Sequence, residues 1–96
     1  MTTTDLLRAR REEILRIAER HGAADVRVFG SVARGEDSDS SDVDLLVSTR
    51  GDTSPWFPAA FIAELEHVLQ RRVDVVTEDG LYWLLRRRIL REARPL

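Results

Sequence analysis

Phe29-Gly30-Ser31-Val32-Ala33-Arg34-Gly35-Glu36 leads through Asp37-Ser38-Asp39-Ser40-Ser41 into Asp42-Val43-Asp44-Leu45-Leu46-Val47, and this stretch decides how the chain folds. Ten residues separate Ser31 from Asp42. The run from Val43 to Val47 is β-branched and aliphatic, so it reads as a strand, in which alternate side chains share a face. Asp42 and Asp44 therefore point the same way, roughly 6 to 7 Å apart along the strand. Two anions held that close repel each other. A bound divalent cation relieves the repulsion, and oxygen-only ligands favour a hard ion such as Mg²⁺. The acidic, serine-rich approach from Glu36 to Asp42 also has the composition of a solvated loop. An EF-hand beginning at Asp37 is excluded, because Asp42 and Ser48 stand where that loop needs Gly and Glu. A Walker phosphate loop fails for want of a Lys after the glycines.

Upstream of this stretch, Asp25 to Phe29 reads as a first strand with Val26 and Val28 on one face. Gly30 permits close backbone approach, and Ser31 to Arg34 can form a short helix whose first N–H groups are free for phosphate oxygens. Further back, Thr4 or Asp5 caps a helix in which Leu7, Ile14, Ile17, Ala18 and His21 recur at helical spacing, stopped by Gly22. Downstream, Thr49 to Trp56 is a loop broken by Gly51 and Pro55. Pro58 opens a helix running to about Arg71 with Phe61, Ile62, Leu65, Val68 and Leu69 as its apolar stripe, and Trp56 is placed to staple onto Phe61. Val73 to Thr77 is a third strand, and Asp79-Gly80 turns the chain into a last helix from about Leu81 to Arg94. His21 and His67 read as ordinary surface or edge residues.

A helix of about a dozen residues between the second and third strands is a right-handed crossover, so those strands are expected to be parallel. Asp42, Asp44 and Asp74 then meet at one end of the sheet. Gly30 and Ser31, at the finish of the first strand, reach that end only if the first strand runs antiparallel to the second. The expected fold is α/β (α+β), a small three-stranded mixed sheet covered by helices, with residues 1–96 forming one domain.

Composition narrows the function classes. Apolar residues make up 43% and charged residues 33% of the 96 residues, an ordinary globular balance with no segment apolar enough to span a membrane. There is no Cys, which excludes disulfides and thiolate metal sites and suggests a cytoplasmic protein. With a net charge of −2, direct nucleic-acid binding through bulk electrostatics is not expected. All 15 basic residues are Arg, so any phosphate clamp must be an arginine.

The run Gly30-Ser31-Val32-Ala33-Arg34-Gly35-Glu36 with Asp42 and Asp44 resembles the G-S-x10-D-x-D signature of the DNA-polymerase-β-like nucleotidyltransferase superfamily. The short chain is similar to that superfamily's minimal, MNT-domain antitoxins of the MntA type. The resemblance extends to a third acidic residue on a later strand, matched by Asp74 in Arg72-Val73-Asp74-Val75-Val76. It implies the nucleotidyltransferase fold, with two Mg²⁺ ions held by Asp42, Asp44 and Asp74, and ATP as substrate. Asp42 and Asp44 would bridge both ions, and Asp74 would bind the nucleophile-side ion and accept the attacking proton. Gly30, Ser31 and Arg34 would hold the phosphates. The implied reaction is adenylyl transfer to a hydroxyl, a tyrosine for preference, of a partner HEPN-domain ribonuclease toxin, within a hetero-oligomer. Two other functions fit the same residues: an antitoxin that acts by binding alone, and a small-molecule nucleotidyltransferase. The last helix adds one expectation. Tyr82, Leu85, Ile89, Ala93 and Leu96, widened by Leu81 and Leu84, form an apolar surface flanked by arginines, suited in part to a partner.

Overall fold

A computed structural model describes residues 1–51 and 53–96. Its elements, in chain order, are α1 (Thr3–Ala9), α2 (Arg11–Arg20), β1 (Ala23–Phe29), α3 (Gly30–Ala33), β2 (Val43–Thr49), α4 (Ala59–Leu69), β3 (Val73–Thr77), α5 (Trp83–Glu92) and β4 (Arg94–Pro95). The loop expected over Thr49 to Trp56 lies within this description except for Asp52, which is outside the described residues.

The sheet order is β3-β2-β1-β4. β2 and β3 run parallel, whereas β1 runs antiparallel to β2, as the positions of the acidic residues require. Alternation then sorts the side chains. Val43, Leu45 and Val47 of β2 join Val73 and Val75 of β3 and Val26 and Val28 of β1 in the buried core. Ile14, Ile17 and Ala18 of α2 and Phe61, Leu65 and Leu69 of α4 cover that face. Asp44 and Asp74, one residue out of phase with the core positions, necessarily face the other side.

Four details depart from the sequence reading. The sheet gains a fourth, two-residue strand, because the last helix stops at Glu92 rather than Arg94. Pro95 biases the residue before it toward extended backbone and ends the helix, after which Arg94 pairs with Val28 and the Leu96 N–H donates to the Val26 carbonyl at 3.1 Å. The single N-terminal helix is two, broken at Arg10, and its cap is Thr2, which forms a capping box with Asp5. The staple onto α4 is made by Phe57, whose ring stacks on Phe61 at 6.0 Å, while Trp56 is left exposed. His21 is mostly buried, with Nε2 2.7 Å from Glu64 and its ring 5.6 Å from Phe61.

Candidate active site

Phe29 pairs with Asp44 across the β1–β2 ladder, so the chain leaving β1 turns directly over the Asp44 carboxylate. Gly30 makes this turn with φ +74°, and a Cβ there would collide with Asp44 Oδ2. Glycine is thus required twice, for its backbone angle and for its missing side chain. The chain then closes one short helical stretch, with the Arg34 N–H bonded to the Gly30 carbonyl at 3.1 Å and the Glu36 N–H bonded to the Ser31 carbonyl at 2.9 Å.

The acidic loop before β2 is fastened rather than loose. Thr3, fully buried, donates its hydroxyl to the Ser38 carbonyl at 2.7 Å, and the Thr4 N–H donates to Asp37 at 2.8 Å. That bond from Thr4 holds the Asp37 carboxyl below its usual range. Helix α1 therefore fixes the loop that delivers Asp42 to β2.

A cleft of about 490 Å³ opens beside this turn, within the size range of small-molecule sites. Phe29, Gly30, Ser31, Arg34, Ser41, Asp42 and Asp44 form one wall, and Leu85, Arg88, Ile89 and Glu92 of α5 form the other. Five of the residues singled out from sequence, Gly30, Ser31, Arg34, Asp42 and Asp44, thus line one cleft. Asp74 stands outside its lining. It is exposed on β3, directly paired in register with Asp44 on the next strand. A larger hollow of about 640 Å³ between α2 and α4 contains neither the Gly-Ser turn nor these carboxylates.

Electrostatics join the three aspartates. Burial pushes the Asp44 carboxyl above its usual range, and the charges of Asp74 and then Asp42 push it further, with Arg34 in partial opposition. Among the described residues no three acidic or His side chains are already drawn into a metal-binding group. The donor set nevertheless fits a hard divalent cation, since it is all oxygen and its central member is crowded by negative charge that Arg34 only partly offsets. Arg34 is itself paired, with Glu36 at 3.3 Å and with Glu92 of α5. The hydrogen bond that Arg34 donates to the Glu92 carboxylate is the main reason its guanidinium pKa is raised.

The α5 wall is what sequence reasoning missed. Leu85, Arg88, Ile89 and Glu92 have the i, i+3, i+4, i+7 spacing of one helical face. That spacing was visible in the sequence, but nothing in it said that this face looks onto Gly30 and Asp44.

A family model for the nucleotidyltransferase domain matches residues 11–96. Protein adenylyltransferase MntA of Thermococcus cleftensis is 36% identical over 87 residues, covering 91% of this chain and 85% of that protein. A solved structure, provisionally described as a minimal nucleotidyltransferase, superposes with a TM-score of 0.84 at 50% identity, covering 97% of this chain and 95% of the other. The fold also matches that of a toxin-antitoxin crystal structure with AMP-PNP, at a TM-score of 0.74 and 17% identity over 88% of this chain and 69% of that one. The chain belongs to the nucleotidyltransferase domain family, among its minimal MntA-type members, and is a nucleotidyltransferase enzyme.

Proposed function

We propose that this enzyme is an antitoxin that transfers AMP from ATP to a hydroxyl, a tyrosine for preference, on a partner toxin of the HEPN ribonuclease class. The observation that carries the reading is the Gly30 turn seated on Asp44 at the mouth of a cleft large enough for a nucleotide. The wider context comes from the relatives, one named a protein adenylyltransferase and one a toxin-antitoxin structure with an ATP analogue.

In this reading the triphosphate lies along α3. The Ser31 hydroxyl and the N–H groups of the first helical turn, which have no acceptor within the helix, donate to phosphate oxygens. Arginine side chains lining the same cleft offset charge on the departing group. Asp42, Asp44 and Asp74 would hold two Mg²⁺ ions, which supply charge neutralisation and an activated acceptor oxygen when bound. The acceptor oxygen forms its bond to the α-phosphorus as the bond from that phosphorus to the bridging oxygen breaks. Pyrophosphate leaves with the electron pair, and the hydroxyl proton passes to Asp74, the exposed carboxylate on the open side.

The test is the intact mass of a candidate partner toxin after incubation with the enzyme, ATP and Mg²⁺, which should rise by one or more adenylyl groups. Asp44→Asn should lower the rate by roughly a hundredfold or more. The same substitution should stabilise the metal-free protein at neutral pH. Because the folded-state pKa of Asp44 is raised, its stabilising contribution is full below the unfolded pKa and is lost as pH rises through the folded value. The advantage of Asn over Asp should therefore shrink as pH falls. Near-normal transfer by Asp44→Asn or Asp74→Asn would sink the assignment.

A further inference from the structure

We propose that Arg88, on the α5 wall, is the residue that binds the β- and γ-phosphates of the nucleotide, and that Arg34 serves mainly to fasten α5 in position. This rests on the cleft being the nucleotide site. Two arginines line that cleft, Arg34 and Arg88. They differ in what already occupies them. Arg34 is bound to two carboxylates, Glu36 and Glu92, which cancel much of the charge it could offer a phosphate. Among the described residues Arg88 has no carboxylate partner.

The natural partner for Arg88 would be Glu92, four residues on along the same helix. That carboxylate is instead turned to Arg34, the C-cap of α3, and is only 14% exposed. Its position is also unfavourable for α5 alone, because a negative charge in the last turn opposes the helix dipole. The Arg34–Glu92 pair therefore makes sense as a tie between α3 and α5 that keeps the second wall against the first. The tie leaves Arg88, one helical turn away, without a carboxylate partner among the described residues and lining the same cleft as Ser31 and Asp42. A planar guanidinium with five donors is suited to two phosphate oxygens at once, and this chain has no lysine to do that work.

The test measures binding by calorimetry in Mg²⁺ of two probes, an α,β-methylene ATP analogue that cannot be cleaved and inorganic tripolyphosphate. Arg88→Ala should weaken both by a similar factor, roughly ten- to a hundredfold, as expected for losing charged hydrogen bonds. Arg88→Lys should fall between. Arg16→Ala, which removes the same charge from α2, should bind both as wild type, and the melting temperature of each variant without ligand should stay near that of the parent. Unchanged binding by Arg88→Ala overturns the inference. So does a loss confined to the nucleotide, which would make Arg88 a nucleoside contact, or an equal loss in Arg16→Ala, which would make the effect one of overall charge. If the wild-type protein binds neither probe, the nucleotide-site reading falls as well, and the two failures are thereby distinguished.

Discussion

At the residue scale, two glycines with nearly the same backbone separate conformation from contact. Gly30 has φ +74° and Gly35 φ +73°, but a Cβ at Gly30 meets the Asp44 carboxylate, whereas at Gly35 nothing lies within 4 Å. Gly35→Ala should cost about 1–2 kcal/mol, the ordinary penalty for an L-residue in the left-handed region. Gly30→Ala carries that penalty and must also displace Asp44, so it should cost distinctly more and abolish transfer. Thermal melts of the two variants decide this; equal losses would mean that the close approach of Gly30 to Asp44 has no energetic weight. The sequence exposed this part of the site well, because Gly, Ser and paired Asp are residue types whose chemistry is local. Arg34 was legible only as a nearby cation. Of its two carboxylate partners, Glu36 is two residues on, but Glu92 is 58 residues away and could not be read from its neighbourhood.

At the element scale, strand directions followed from the sequence because function constrains them. Asp44 and Asp74 begin parallel strands, and Gly30 ends an antiparallel one, so only one pairing scheme brings them together. Local overrides were harder to see. Pro95 decided between helix and strand at the C-terminal end, and Phe57 displaced Trp56 as the aromatic that packs on α4, since only tertiary packing distinguishes adjacent rings. Helix α5 shows the limit most clearly. It buries no residue, yet one face walls the cleft while Tyr82, Trp83, Leu84 and Leu85 are 45–73% exposed near its start. An apolar ledge next to a transferase cleft is suited to an incoming protein acceptor, and aromatic residues dominate such contacts. Trp83→Asp and Leu84→Asp should leave the melting temperature almost unchanged, as expected for exposed positions. Trp83→Asp should weaken binding of the toxin that acquires the adenylyl group by at least about tenfold, a usual effect of removing an interface aromatic, and Leu84→Asp should weaken it in the same direction. Unaltered affinity in titration calorimetry would remove α5 from the docking surface.

At the scale of the whole molecule, the described residues build one side of a reaction centre and leave the other open. In the proposed reaction the triphosphate occupies the cleft between α3 and α5, whereas Asp74, the carboxylate assigned to the acceptor, is exposed on β3 and outside the cleft lining. Transfer requires the acceptor oxygen within about 3 to 3.5 Å of the α-phosphorus, so a surface must hold it over Asp74. In the proposed reaction the toxin brings that surface and is released modified, which makes the enzyme catalytic in its target. A protein that neutralised by masking would instead be consumed one for one. The two are separated by incubating the toxin with ATP, Mg²⁺ and a small fraction of an equivalent of this enzyme, removing the enzyme, and then assaying RNA cleavage. Catalytic transfer predicts lasting inactivation with an adenylyl mass increment on most toxin molecules, and Asp74→Asn should leave the toxin active under the same conditions. Recovery of full ribonuclease activity with no mass change would replace modification by masking, and would leave the carboxylate cluster without a role in neutralisation.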